Sequence, residues 1–242
     1  CDLMAGGFSA AWTKLDISHD QFIRTTEDEH KAVVTAFLQR LWDRGQIYKA
    51  AYTGWYCVYE ERFWTEKDLG PDNTCPDCGR GVDRVEETNY FFKMSEYQEA
   101  LIEHIEQNPD WIVPEERKNE VLGFLQQPLG DLSISRPKSR VHWGITLPFD
   151  EDHTAYVWVD ALANYLTASG AIDATQPIGE QGFEDVSGSW WPCDLHLVGK
   201  DIITMHAVYW PTLLMGVGLP VPKQILAHGW WVVDDTKMSK SI

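Results

Sequence analysis

Apolar positions along this chain recur with two different periods, and the change from one to the other divides it. Val33, Val34, Phe37, Leu38 and Leu41 repeat at helical spacing up to Gly45, and Thr26 with Glu29 three positions later reads as a capping box. Together they predict an amphipathic helix over about 27–44. Ser95 and Gln98 suggest a second capped helix, with Tyr97, Leu101, Ile102 and Ile105 on one face and a stop at Asn108-Pro109. From about Ala155 onward short apolar strands alternate with helical stretches. The strands are expected over Ala155 to Val159, Leu195 to Val198 and Gln224 to His228, the helices near 160–168 and 202–216. That alternation predicts an α/β fold built on a parallel sheet with crossover helices. In such a sheet ligands sit beyond the carboxyl ends of the strands, where Asp160, Gly199-Lys200-Asp201 and His228-Gly229 fall.

The stretch from Tyr52 to Arg84 has neither period. Aromatic residues lead into a turn at Gly70-Pro71-Asp72-Asn73 and a tight knuckle at Cys75-Pro76-Asp77-Cys78-Gly79, so this segment reads as a small inserted module.

Length and composition narrow the class. With 242 residues and 44% hydrophobic content the chain can bury one or two cores. No stretch reaches the roughly 18 apolar residues of a membrane span, and the start lacks the pattern of a secretory leader, so a soluble cytoplasmic protein is expected. The five cysteines, an odd number with one C-x-x-C pair, suit metal binding in a reducing compartment better than a disulfide framework. The formal charge of −17 disfavours indiscriminate binding to phosphate backbones, so any nucleic-acid contact has to be local and shaped. Both ends read as cut: residue 1 is Cys, and Ile242 follows a polar loop.

The sharpest chemical signal is Lys237-Met238-Ser239-Lys240-Ser241 after an apolar strand. Two ammonium groups three residues apart on a loop can close over a triphosphate as charge develops at the transferring phosphorus. Lys93-Met94-Ser95-Glu96 begins alike, but glutamate replaces the second lysine and the segment opens a helix, so it reads as a decoy.

The lysine loop resembles the KMSKS signature of class I aminoacyl-tRNA synthetases. Asp131 to Arg136, Tyr156 to Ala161, Gly199-Lys200-Asp201-Ile202 with His206, and Ala227-His228-Gly229-Trp230 look like the methionyl branch of that class in order and spacing. The resemblance covers nearly the whole chain. It implies a Rossmann-type parallel sheet with an inserted connective domain carrying a zinc-knuckle-like module. The corresponding divisions are a remnant of the first Rossmann half over 1–50, the insertion over 51–135 with its knuckle at 57–78, and the second half over 136–242. The implied activity is methionine activation with ATP and Mg2+ to methionyl-adenylate, then transfer to tRNA(Met). The family's His-x-Gly-His signature does not occur in the sequence, so the isolated piece is expected to be inactive or nearly so.

Residue by residue, the resemblance implies that Lys237 and Lys240, with Ser239 between them, stabilise the phosphates. Gly199 and Asp201 would sit at the ATP ribose, and His228, Gly229 and Trp231 would border the adenine. Arg136 would support the active site; its alternative is a surface salt bridge. The methionine pocket would comprise Trp158, Ala161, Leu162, Tyr165, Ile202, Met205, His206 and Trp210, and aromatic walls suit an apolar, polarizable thioether. The same spacings also suit a core-facing stripe, and Leu162 and Met205 replace the proline and aromatic residue of many relatives. In the insertion Cys57, Cys75 and Cys78 match three zinc ligands, but the position expected to hold the fourth is Glu60. A Cys3Glu zinc site and a metal-free relic both remain open there, and Cys193 reads as a buried apolar residue. Synthetases for leucine, isoleucine and valine share the lysine loop but need a far larger insertion. A non-catalytic scaffold would need none of the ordered lysine, aspartate and histidine positions.

Overall fold

The computed structural model describes residues 1–60, 62–64, 66–173, 189–233 and 236–237. It opens with α1 (Asp2–Lys14), which buries no residue, and α2 (Asp28–Asp43), which buries Val33, Val34, Phe37, Leu38 and Leu41 as the periodicity requires. The capping box does not form. Glu27 takes the N-cap position in an extended conformation without a side-chain bond, and Asp28 and Glu29 place negative charge at the positive end of the helix dipole. Gly45, at φ 67°, turns the chain out of the helix in the left-handed conformation that glycine adopts without a Cβ clash.

Next come β1 (Ile47–Cys57), β2 (Arg62–Trp64) and β3 (Asp83–Phe92). β1 pairs antiparallel with both others, and the knuckle over 70–81 hangs from the far end of this ribbon. Cys57, Cys75 and Val82, with Trp55, Trp64 and Leu69 around them, form a small apolar cluster separate from the main core. The segment at Ser95 does not cap the second helix as expected. Met94–Tyr97 makes a tighter 3-10 turn, with α3 (Gln98–Gln107) following it, because the Ser95 hydroxyl and backbone N–H both donate to Asp131 Oδ1 at 2.6 and 3.1 Å. Gln98 ties that turn to the end of the following helix by donating to the carbonyls of Leu125 and Gln127.

β4 (Ile112–Val113), α4 (Glu115–Leu125), β5 (Leu132–Ser133), β6 (Ser135–Pro137), β7 (Thr146–Leu147) and β8 (Asp150–Ala155) lead to α5 (Val157–Ser169). β5 completes a four-stranded antiparallel sheet in the order β2-β1-β3-β5, and β6, β8 and β7 make a second antiparallel sheet. The strand expected over Ala155 to Val159 stops at Ala155; Val157 to Val159 already belong to α5. The reason lies in packing: Val159, Leu162, Ala163 and Leu166 form one buried helical stripe, which a strand could not present on one face.

β9 (His196–Gly199), α6 (Trp210–Val217) and β10 (Ile225–His228) follow, then the short hairpin of β11 (Val232–Val233) and β12 (Thr236–Lys237). β9 and β10 pair in parallel as expected. The third strand of this sheet is β4, also parallel to β10 and drawn from a stretch assigned above to the insertion. α2, α5 and α6 pack together over the core. Phe37 and Trp210, both fully buried, lie 6.0 Å apart between ring centroids, and a Cβ added at Gly216 would stand 2.8 Å from both Leu41 and Phe92. Helix and sheet therefore meet there at a separation only glycine allows. Among the described residues, no helix is long and apolar enough to cross a membrane.

Candidate active site

The parallel register sets Gly199 directly beside His228 at the carboxyl ends of β9 and β10. Two segments 29 positions apart in sequence thus meet where an open α/β sheet binds ligands. Gly199 has a steric reason to be glycine: a Cβ would stand 2.6 Å from Asp201 Oδ1 and 3.9 Å from His228 Cε1. The Asp201 carboxylate accordingly folds back over the strand end. His228 Nδ1 lies 2.7 Å from the Gly229 carbonyl and so donates to it. Lys200 Nζ sits 4.1 Å from the ring centre of Trp230, and Gly229 and Trp231 are exposed nearby. The backbone of Lys237 pairs with Val232 in the terminal hairpin; Ser239 and Lys240 lie outside the described residues.

A cleft of about 630 Å³ opens between this strand end and the knuckle. Trp158, Asp201, Thr204, Met205 and Tyr209 form one wall, Leu132, Ser133, Arg136 and Tyr156 another, and Glu60 with Asp77 the knuckle side. Of the eight expected methionine-pocket residues, only Trp158 and Met205 line this space. Leu162, His206 and Trp210 are buried beneath it, while Ala161, Tyr165 and Ile202 are half-buried. They come from two facing segments, α5 and the stretch running from Lys200 into α6. Within that stretch Met205–Tyr209 is a turn of π-helix, a widening that recurs at functional sites. Tyr165 and His206 bridge the segments with a hydrogen bond of 2.7 Å. Burial, then the charge of Cys193, pushes the Tyr165 phenol up to about 12; burial also lowers His206, so both are neutral near pH 7. Of these eight residues Trp158 and Met205 face the cleft, and the others pack into the core.

Arg136 does not lie on the surface. It is 7% exposed, donates from Nη1 to Ser133 Oγ at 3.0 Å and to the Ser135 carbonyl at 2.7 Å, and lays its guanidinium 4.5 Å from the ring centre of Tyr156. A cation is thereby held rigidly at the cleft wall.

In the knuckle, the sulfurs of Cys57, Cys75 and Cys78 all lie within 4.8 Å of one another, with Cys57 and Cys78 at 3.5 Å. Zinc–sulfur bonds of about 2.3 Å at tetrahedral angles put sulfurs roughly 3.8 Å apart, so these three fit corners of a zinc site. Glu60 does not join the group; the chain carries it onto the cleft, across from Arg136.

Sequence reasoning missed His30 and His196. His30 is fully buried, with Nε2 2.8 Å from Asp160 and Nδ1 2.8 Å from Thr167, and so ties α2 to α5. Its place on the polar edge of α2 was the available signal. His196 lies under Tyr165 in an otherwise apolar strand, a pattern that does not distinguish it from packing.

A parallel sheet whose strand ends gather glycine, aspartate and histidine, with an antiparallel insertion facing them across a cleft, defines a class I synthetase core. The family model described as tRNA synthetases class I (M) matches residues 1–87 and 79–242, and the chain belongs to that family. It is 51% identical over 241 residues to the methionine–tRNA ligase of Clostridium acetobutylicum, covering 99% of this chain and 36% of that ligase. Against the methionine–tRNA ligase of Thermotoga maritima it is 43% identical over 245 residues, covering 37% of it. The crystal structure of Mycobacterium tuberculosis methionyl-tRNA synthetase bound by methionyl-adenylate superimposes with a TM-score of 0.83 at 41% identity, over 97% of this chain and 45% of that one. The chain thus spans between about a third and a half of the relatives it matches.

Proposed function

We propose that the full-length protein to which this chain belongs is a cytoplasmic methionine–tRNA ligase, and that this chain supplies its methionine pocket, part of its nucleotide site and its connective insertion. The observation that carries the reading is the register of Gly199 beside His228, next to a cleft walled by Trp158 and Met205. It unites the two nucleotide segments with the amino-acid segment at one strand end.

In the proposed reaction a methionine carboxylate oxygen attacks the α-phosphorus of ATP, supplied with Mg2+, and the bond to pyrophosphate breaks. A hydroxyl of the terminal adenosine of tRNA(Met) then attacks the adenylate carbonyl, and AMP leaves. Asp201 and Gly199 hold the ribose, and His228, Gly229 and Trp231 border the adenine. Lys237 and Lys240, with Ser239, offset the growing charge on the phosphates, where fixed cations act most strongly once water is excluded. Arg136 adds fixed positive charge from the cleft wall. Leu162, Tyr165, His206 and Trp210 form a neutral floor, and Ala161, Ile202, Trp158 and Met205 the sides, for the thioether. Zinc held by Cys57, Cys75 and Cys78 would staple the knuckle that faces the cleft.

The reading is tested by charging purified tRNA(Met) with the full-length protein and each of methionine, leucine, isoleucine and valine. Attachment of methionine alone supports it. Attachment of a branched-chain amino acid instead would move the protein to a sister family.

A further inference from the structure

Below the cleft, His196 belongs to none of the roles above, yet it touches the residue at the centre of the pocket floor. It is 3% exposed, and its backbone is fixed by pairing with Ile225 and by donation to the Gln224 carbonyl at 2.9 Å. Its ring centre lies 4.1 Å from that of Tyr165 at an interplanar angle of 41°, with Trp191 at 6.1 Å and His206 at 5.9 Å. Cys193 Sγ is 3.5 Å from Nδ1 and 3.7 Å from Nε2. Cys193 thus lies within hydrogen-bond reach of the His196 ring, beside its aromatic contacts.

The hydrogen bonds of His206 show why the place of the Tyr165 ring matters. His206 Nδ1 lies 3.0 Å from the Ile202 carbonyl, which can only accept, so the hydrogen of the neutral imidazole is on Nδ1. His206 Nε2 is then bare and accepts the Tyr165 O–H at 2.7 Å. The single phenolic hydrogen is thereby used, and the oxygen has only lone pairs left to offer a ligand. This polarity survives only while the Tyr165 ring keeps its position, and among the described residues the aromatic ring nearest to it is that of His196 at 4.1 Å, with Trp210 at 6.2 Å.

We propose that His196 is a positioning residue for amino-acid selection: its flat ring holds Tyr165 so that the Tyr165–His206 hydrogen bond, and with it the shape and polarity of the methionine pocket, is preserved. The proposal rests on the reading of Tyr165 and His206 as the pocket floor. It requires no contact between His196 and either substrate.

The test is amino-acid-dependent ATP–pyrophosphate exchange by the full-length protein, comparing wild type with His196→Leu, His196→Phe, Tyr165→Phe and the double variant His196→Leu/Tyr165→Phe. Loss of one close aromatic contact should raise the methionine KM roughly fivefold in His196→Leu. The ATP KM and kcat should stay near wild type, and His196→Phe, which keeps a flat ring, should restore most of the loss. The double variant should be no worse than the weaker single one, because both act through the same hydroxyl. An unchanged methionine KM in His196→Leu, an equal rise in the ATP KM, or additive effects in the double variant would overturn the proposal. Should His196→Leu fail to fold, His196→Ala, which leaves space rather than strain, gives the same comparison. Wild-type protein without methionine-dependent exchange would instead refute the functional reading, so the two failures are distinct.

Discussion

The buried imidazole of His196 makes stability depend on pH in a way that one substitution isolates. Burial first, then the charge of His206, lowers it from 6.5 to about 3, so the folded protein keeps it neutral. The unfolded chain does not, and takes up a proton near 6.5. Because the unfolded state binds more protons, stability is fullest above 6.5 and is lost as pH falls from there towards 3. Between pH 7 and pH 5 this one group costs about 2 kcal/mol, from the ratio of unfolded-state protonation at the two values. His206, lowered by burial as well, adds a loss of the same sign. Replacing His196 by Phe removes only the first contribution. Equilibrium urea unfolding, followed through the tryptophan fluorescence of the chain and of His196→Phe at several pH values, should therefore give diverging profiles. The variant should lose about 2 kcal/mol less between pH 7 and pH 5, whatever its stability at pH 7. Parallel profiles would mean that His196 protonates in the folded state, and would refute the burial argument.

Other consequences follow from single contacts. In Gly199→Ala the new Cβ would displace the Asp201 carboxylate, so the ATP KM of the full-length protein should rise by about tenfold while its melting temperature hardly moves; an unchanged ATP KM would contradict the placement of Asp201 at the ribose. Phe37→Ala should cost about 3–5 kcal/mol in urea unfolding, because it opens a cavity against Trp210, and a loss below about 1 kcal/mol would show that the core collapses around the site. Protein purified in the presence of zinc should hold about one ion per chain, lost in Cys75→Ser and kept in Glu60→Ala; loss in Glu60→Ala would restore the carboxylate as a ligand. Burial, then the charge of Asp194, pushes the Cys193 thiol up to about 11, so at pH 8 roughly one molecule in a thousand carries the thiolate and a thiol reagent should modify the exposed Cys1 first. Equal rates at the two positions would contradict that environment.

α2 was legible because its stripe runs for several turns, and β9 and β10 because short apolar runs between loops have few alternatives in an α/β chain. The junction at Tyr156 was not: Val157-Trp158-Val159 is apolar at every position, which suits a buried strand and a buried helix alike. Ser95 and Thr26 both carried helix-start signals, and both were overridden. Asp131, 36 residues away, recruits the Ser95 hydroxyl, and Glu27 occupies the N-cap position of α2. β4, two residues long, is too short to produce a period at all. In the candidate site, strand-end position pointed to Gly199, Asp201 and His228, whereas the expected pocket residues followed only from the family resemblance, since their spacing suits a core stripe equally. The chain of hydrogen bonds from Ile202 through His206 to Tyr165 depends on tertiary packing and left no mark on spacing. Glu60 was assigned by its distance from Cys57 along the chain, whereas the strand turn after Cys57 sends it to the cleft.

The most direct measurement is methionine-dependent ATP–pyrophosphate exchange by the full-length protein, made side by side with Lys240→Ala. Exchange with methionine that falls by about a hundredfold or more when Lys240 is removed is the predicted result. Exchange that ignores methionine, or that survives the loss of Lys240 undiminished, would contradict the account.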